Sequence, residues 1–400
     1  MNILFLSLFD ISSLDERGIY TDLLRELRRR GNVIYCISPV ERRKKQPTEF
    51  VANSKGTILR LKIGNIQKNN VIEKGISTLL LETQVVRAIK RYFKHVSFDL
   101  VLYPTPPITF ATAVRFIKSR DGAISYLMIK DIFPQNSVDI GLLKQDSFIH
   151  KFFLRKERKL YAASNYIGCM SDANVRYLLK HDPSITREKV EVCPNSINPA
   201  PFTHSNQGKA EFRKKNGIRE DAVVFLYGGN LGKPQGISFI IQCLEKNMNR
   251  PDRFFIICGD GTEYSRLQIF LDSTKPSNIL LQQARPRAEY DEIAACCDVG
   301  LIFLDHRFTI PNFPSRLLSY LENAIPVLAC TDRATDIGQV ITGGGFGWWC
   351  ESRDEKVFTG LVDSIIAEKA ELRSLGLKGR NYLETHYTAQ HSADIILKHF

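Results

Sequence analysis

Three turns in the C-terminal half carry residue types that can hold an anion. The first is Tyr227-Gly228-Gly229-Asn230-Leu231-Gly232-Lys233-Pro234-Gln235-Gly236, which follows the apolar run Val223–Leu226 and leads into an amphipathic segment, Ile237–Leu244. Small residues such as Gly229 let backbone N–H groups approach a phosphate, and the positive end of a helix dipole favours the charge. Lys233 adds a formal cation, and Asn230 adds a polar contact. A tight strand-to-helix turn also needs glycines for steric reasons alone, so both readings stand. The second turn is Cys258-Gly259-Asp260-Gly261-Thr262-Glu263. At the C-terminal edge of a parallel sheet such a turn can admit a base or a ribose. Otherwise it is an ordinary turn with Thr262 as N-cap. The third spans Phe308–Tyr320, where Pro314 and Ser315 mark a helix start with Ser315 as the cap. Arg316 then falls in the first turn, where the dipole disfavours a cation. An anion between Arg316 and the first N–H groups resolves that conflict; a solvated arginine is the plainer alternative.

Parallel strands are what would line up these turns. Both halves alternate short apolar runs with helical patterns, which predicts parallel sheets with helices on both faces. The strands expected in the first half are Ile3–Ser7, Val33–Ser38, Leu100–Tyr103, Ile124–Ile129, Tyr166–Met170 and Val190–Cys193. In the second half they are Val223–Tyr227, Phe254–Cys258, Ile279–Gln282, Val299–Phe303 and Val327–Ala329. Helices are expected over Ile19–Arg30, Val71–Lys94, Pro286–Ala295 and Ser315–Asn323. A chain of 400 residues exceeds one core, so two domains are expected. The Pro-, Asn- and Ser-rich stretch Pro194–Pro201 is incompatible with helix or central strand and places the hinge. The expected domains are therefore residues 1–197 and 198–380, with a final helical segment, 381–400, packing back on the first.

Composition is that of a globular protein. The first ten residues lack a basic leader and meet Asp10 early, so they read as a buried strand rather than a signal peptide. The nine cysteines show no CxxC or Cys/His ligand spacing, which indicates structural thiols and no metal site. Nor do His95, His150, His204 and His306 show spacing for metal or nucleophilic chemistry. Charge is uneven: residues 1–200 hold 32 Lys and Arg against 19 Asp and Glu, a balance of +13, whereas residues 201–400 balance at −1. In Phe148–Tyr161 basic and bulky apolar residues interleave at helical spacing, and Val85–His95 and Glu41–Lys45 add more cations. Such a face can dock on anionic headgroups, each cation contributing about 1 kcal/mol, or its apolar stripe is core. No nucleic-acid reading motif accompanies the charge.

In order along the chain, Pro194-Asn195, the glycine turn, Gly259-Asp260-Gly261, Cys297–Leu301, Pro314-Ser315-Arg316-Leu317-Leu318-Ser319-Tyr320 and Pro326–Ala329 resemble the motifs of GT-B glycosyltransferases of family 4. The similarity is to the branch that makes O-antigen, capsule and colanic-acid units. Met128–Pro134 resembles that branch's Asp-hydrophobic-aromatic-Pro segment, and Gly18 matches a glycine near the donor phosphates. The resemblance implies an α/β GT-B fold, two Rossmann-like domains with parallel sheets facing a cleft. It implies a nucleotide diphosphate sugar on the C-terminal domain, an acceptor on the N-terminal one, retention of configuration, and no metal or other cofactor. Lys233 and Arg316 would contact the diphosphate, with Gly18, Gly229, Asn230, Gln235, Gly259, Asp260, Gly261, Asn312, Ser315, Ser319 and Glu322 around the donor. Asp131 would orient or deprotonate the acceptor hydroxyl, unless it is a turn aspartate. His306 and Arg307 follow a strand and can line a sugar pocket.

The departures are specific. The wider family has two glutamates eight apart, where this chain has Pro311 and Ser319, and an Arg and a Lys where it has Asn230 and Gln235. Glu322, one turn beyond Ser319, either stands in for a glutamate or is a solvated helix carboxylate. The expected protein is a cytoplasmic, peripherally membrane-associated glycosyltransferase. It would move a sugar from a UDP-linked donor to a lipid-linked oligosaccharide, with an anionic membrane surface as partner and no nucleic acid. The rival readings are an epimerase on the same fold and a non-catalytic nucleotide-sugar-binding partner.

Overall fold

A computed structural model describes residues 1–53, 56–66, 71–201 and 206–400; His204 lies outside them. The chain forms two compact units, Met1–Asn198 with Thr388–Phe400, and Pro199–Tyr387.

The N-terminal unit is built on strands β1 (Asn2–Leu6), β2 (Val33–Glu41), β3 (Glu49–Asn53), β4 (Gly56–Ile63), β5 (Leu100–Thr105), β6 (Ile124–Ile129), β7 (Tyr166–Cys169) and β8 (Val190–Val192). They form one sheet in the order β3-β4-β2-β1-β5-β6-β7-β8. All neighbours are parallel except β3 and β4. Strands covered on both faces become continuous apolar runs, which is why β1, β5 and β6 are legible in the sequence. The β3–β4 hairpin went unread. In β4, next to the edge strand β3, the half-covered Arg60 and exposed Lys62 alternate with the buried Leu59, Leu61 and Ile63, and this masks the apolar run. Helix Phe148–Ala163 is capped by Ser147, whose Oγ accepts from the His150 N–H at 3.2 Å.

The C-terminal unit contains β9 (Val223–Gly228), β10 (Arg253–Cys258), β11 (Ile279–Gln282), β12 (Val299–Phe303), β13 (Val327–Thr331) and β14 (Gly347–Glu351), all parallel, in the order β11-β10-β9-β12-β13-β14. β14 was also missed, because its glycine-flanked Trp348-Trp349 pair sits at a half-covered edge. The Phe225 and Phe255 rings stack at 5.1 Å, and Phe303 and Phe358 meet at 5.8 Å, in the core beneath the site.

The chain leaves the N-terminal unit after Asn198, whose N–H donates to the buried Asp22 carboxylate at 2.7 Å. It returns at Thr388, not at 381: helix Leu372–His386 runs unbroken through Asn381, and Tyr387 packs on Phe313 and Tyr382. Thr388 then caps the last helix, Ala389–Leu397, by accepting from the His391 N–H. Among the described residues no helix is long and apolar enough to cross a membrane.

Candidate functional site

In the second sheet the chain winds outward from β9 to β11, then crosses back to begin again at β12. The carboxyl ends of β9 and β12 therefore flank a topological switch point, where open α/β sheets bind ligands. Three of the sequence-predicted turns converge there.

The turn after β9 is held rigid by its own backbone and by the turn after β10. The Gly229 N–H donates to the Cys258 carbonyl at 2.9 Å, and the Leu231 N–H to the Asp260 carbonyl at 2.8 Å. Gly229 thus spends its amide inside the fold. Its φ of 133° and bare Cα serve another end: a Cβ there would lie 3.1 Å from Nη2 of Arg316. Gly259 and Gly261 are small for a comparable reason, since a Cβ on either would run into the backbone of Gly229 or Leu231. Asn230 and Gln235 bond each other, Nδ2 to Oε1 at 3.0 Å, and the same oxygen accepts the Gly232 N–H at 3.2 Å. Lys233 begins the short 3-10 turn Lys233–Gln235, and its side chain is exposed. Asp260 is exposed as well.

Arg316 opens the helix Arg316–Glu322. Its guanidinium lies 4.4 Å from the centre of the Tyr227 ring, and among the described residues its buried Nη1 has no hydrogen-bond partner. Ser319, one turn on and on the same helix face, likewise has a buried Oγ with no partner among the described residues. Tyr320 fixes the frame: its hydroxyl donates toward the Leu226 and Leu301 carbonyls and accepts the Gly228 N–H at 3.2 Å. Burial pushes the Tyr320 hydroxyl up to about 12, and that of Tyr290, packed on Gly228, higher still. Both stay neutral, so among the described residues the Arg316 charge has the aromatic rings and hydroxyls of Tyr227, Tyr290 and Tyr320 around it and no anion paired with it. A buried cation left unmatched is costly, and an anionic ligand removes the cost.

Two expected caps are corrected. Ser315 has φ −65° and ψ −15°, which is helical, so its hydroxyl cannot turn back to the first amides and makes no cap bond. Thr262 is not a cap either; the N-cap of the helix Tyr264–Thr274 is Glu263, without a side-chain bond. Glu322 is neither solvated nor open. It is buried, accepting from the Ala200 N–H at 2.8 Å and from Arg287 Nη2 at 3.2 Å. It braces the unit instead of facing a ligand. Asn312 is half-buried, and its carbonyl accepts the Thr335 hydroxyl at 2.5 Å. Arg307 forms a two-point pair with Asp305, Nε to Oδ1 at 2.9 Å and Nη2 to Oδ2 at 2.8 Å, with His306 exposed beside it. Asp305 in turn ties this loop to the glycine turn, its N–H donating to the Pro234 carbonyl at 2.9 Å.

In the N-terminal unit, Gly18 precedes the helix Ile19–Arg29, and its N–H donates to Asp22 Oδ1 at 3.1 Å. Asp131 follows β6, with Asn136 Nδ2 2.9 Å from both carboxylate oxygens. Burial outweighs those bonds and lifts its pKa to about 6. Its neighbour Lys130 was missed: Nζ lies 3.4 Å from the Cys193 carbonyl oxygen, and burial lowers its pKa to about 8. Nothing in the apolar run Tyr126–Ile129 signals a buried amine. The tyrosine enclosure of Arg316 was equally silent, because Tyr227, Tyr290 and Tyr320 are far apart in sequence.

Asp131 gives a stability prediction. Its folded pKa lies above its unfolded value of 3.8, so the folded chain binds the proton more tightly. The cost of ionising it is absent below about pH 3.8, grows as the pH rises from there to about 6, and is full above. Urea unfolding should therefore find Asp131→Asn more stable than the parent by about 1–2 kcal/mol at pH 7.5, with the difference vanishing at pH 4.

Residues 208–382 match the family model for glycosyl transferases group 1. Over a longer stretch, the chain is 26% identical over 337 residues to "Probable glycosyltransferase WbjE" of Pseudomonas aeruginosa, covering 80% of this chain and 78% of the relative. It is 22% identical over 300 residues to "Putative colanic acid biosynthesis glycosyl transferase WcaI" of Escherichia coli (strain K12), covering 72% and 68%. Its fold is GT-B. It superimposes on the E. coli trehalose-6-phosphate structure bound with UDP-2-fluoro glucose with a TM-score of 0.74, at 12% identity, covering 100% and 98% of the two chains.

Proposed function

We propose that the protein is a glycosyltransferase that moves a sugar from a UDP-linked donor to a lipid-linked oligosaccharide in bacterial surface polysaccharide synthesis, with retention. The observation that carries the donor half is the buried, unmatched Nη1 of Arg316 beside the unmatched Ser319 Oγ at the switch point. A diphosphate satisfies both, and Lys233 adds an exposed cation from the adjoining turn. As the bond from the sugar's anomeric carbon to the diphosphate oxygen breaks, the acceptor oxygen bonds that carbon on the same face. The acceptor proton passes to the departing diphosphate. Arg316 and Lys233 stabilise the charge that grows on the leaving group, which is preorganised electrostatic catalysis. The UDP assignment draws on the ligand in the E. coli structure, and the polysaccharide setting on the name of WcaI.

The acceptor half rests on the N-terminal unit. Asp131, ionised above about pH 6, orients the acceptor hydroxyl. Activity should fall as the pH drops below about 6, and the Asp131→Asn profile should be flat through that range. The decisive experiment is a panel of nucleotide sugars scored by thermal shift, followed by UDP release with and without a membrane lipid extract. Release that depends on the extract supports the transferase. A stabilising donor with no release under any acceptor condition indicates a binding partner, and sugar conversion without extract an epimerase.

A further inference from the structure

The helix Phe148–Ala163 turns a basic and aromatic face outward. At about 100° per residue, Phe148, Phe152, Arg155 and Lys159 share one stripe. Phe148 is 81% exposed and its neighbour Ile149 is 56% exposed, while Leu142, on the loop just before the helix, is 58% exposed. Lys151, Arg155 and Lys159 are exposed on the same side. The helix's one carboxylate, Glu157, lies on the opposite side, 2% exposed and bonded by the Tyr161 hydroxyl at 2.8 Å. The helix is anchored by His150, Glu157, Leu160 and Tyr161, and in the outer stripe Phe152 is half-buried against Phe153 at 5.4 Å, which leaves Phe148 and the cations facing water. Large apolar side chains left in water amid cations, without an acidic residue in the stripe, match an interface of apolar depth beneath negative headgroups.

We infer that this face is a membrane-docking surface: Leu142, Phe148 and Ile149 enter the headgroup boundary of an anionic bilayer, and Lys151, Arg155 and Lys159 pair with lipid phosphates. The inference rests on the lipid-linked acceptor reading for its purpose, not for its physics. It also divides the notable basic charge of the first 200 residues, assigning the lipid contact to this helix and not to the run Arg42–Lys45.

The test is co-sedimentation of the full chain with phosphatidylglycerol-containing vesicles and with phosphatidylcholine-only vesicles. The parent should bind the first and not the second. Lys151→Glu/Arg155→Glu should weaken partitioning at least about twentyfold, from about fivefold per cation removed. Phe148→Ser/Ile149→Ser should weaken it without changing its salt dependence. The charge-matched control Arg42→Glu/Lys45→Glu should bind like the parent. The idea fails if the helix variants bind like the parent, if the control loses binding equally, or if the parent binds single-stranded RNA and not vesicles. Circular dichroism confirms that each variant is folded. Donor-induced thermal shift is measured in parallel and needs no lipid, so loss of vesicle binding with that shift intact bears on this face alone.

Discussion

Arg316→Met should lower turnover of the nucleotide sugar by about 10²–10³-fold while leaving the ligand-free protein as stable as the parent or more so. The two halves of that expectation have one cause. In the free protein the guanidinium lies over Tyr227 with a buried Nη1 unmatched, so methionine of similar length removes a desolvated charge and keeps the ring contact. In the complex the same group meets the charge that develops on the diphosphate, where one preorganised donor is worth about 3–4 kcal/mol. Thermal unfolding with and without UDP, beside steady-state kinetics, separates them. A large loss of stability without ligand would mean that Arg316 is a structural residue and would sink the donor assignment. Lys233→Ala should cost less, because an exposed amine is well solvated before the ligand arrives.

Gly259→Ala should be among the most damaging single methyls in the C-terminal unit, and it acts on the site. Its Cβ would lie 1.8 Å from the carbonyl oxygen of Gly229, a backbone atom with no room to turn away. The turns after β9 and β10 would have to part, breaking the Gly229–Cys258 and Leu231–Asp260 backbone bonds that aim the first turn. Overpacking of this kind costs about 1–3 kcal/mol or more, and donor binding should fall with it. Gly343→Ala is the matched control. It ends a helix, nothing lies within 4 Å of the added methyl, and Ala is the better helix former. Denaturant unfolding should show that control unchanged or up to about 1 kcal/mol more stable. Equal loss in both would mean that the close approach of the two turns is not what holds the site.

Much of this was legible because parallel strands buried on both faces must be apolar throughout. That made Ile124–Ile129 and Val299–Phe303 readable at their observed bounds. The strands that escaped notice, Glu49–Asn53, Gly56–Ile63 and Gly347–Glu351, lie at or next to sheet edges, where water or partial cover allows charge, glycine and indole to interrupt the run. The turns after β9 and β10 were visible through their glycines, but the reason for them was not. The sequence suggests amides reaching for phosphate; the fold spends the Gly229 amide on Cys258 and uses the bare Cα to admit Arg316.

By itself, then, the sequence determined the α/β class, the order of the anion-suited turns, the cation in the third and the basic bias of the first half. All of these depend on local pattern and composition. Only the tertiary structure decided that Arg316 Nη1 has no hydrogen-bond partner among the described residues, that Glu322 is occupied by Arg287 and Ala200, that the Asp131 pKa is raised to about 6, and that Phe148 faces outward. Each of those is a statement about which distant segment stands beside a side chain. Burial and partner, not residue type, set whether a charge is satisfied, shifted or free to meet a ligand.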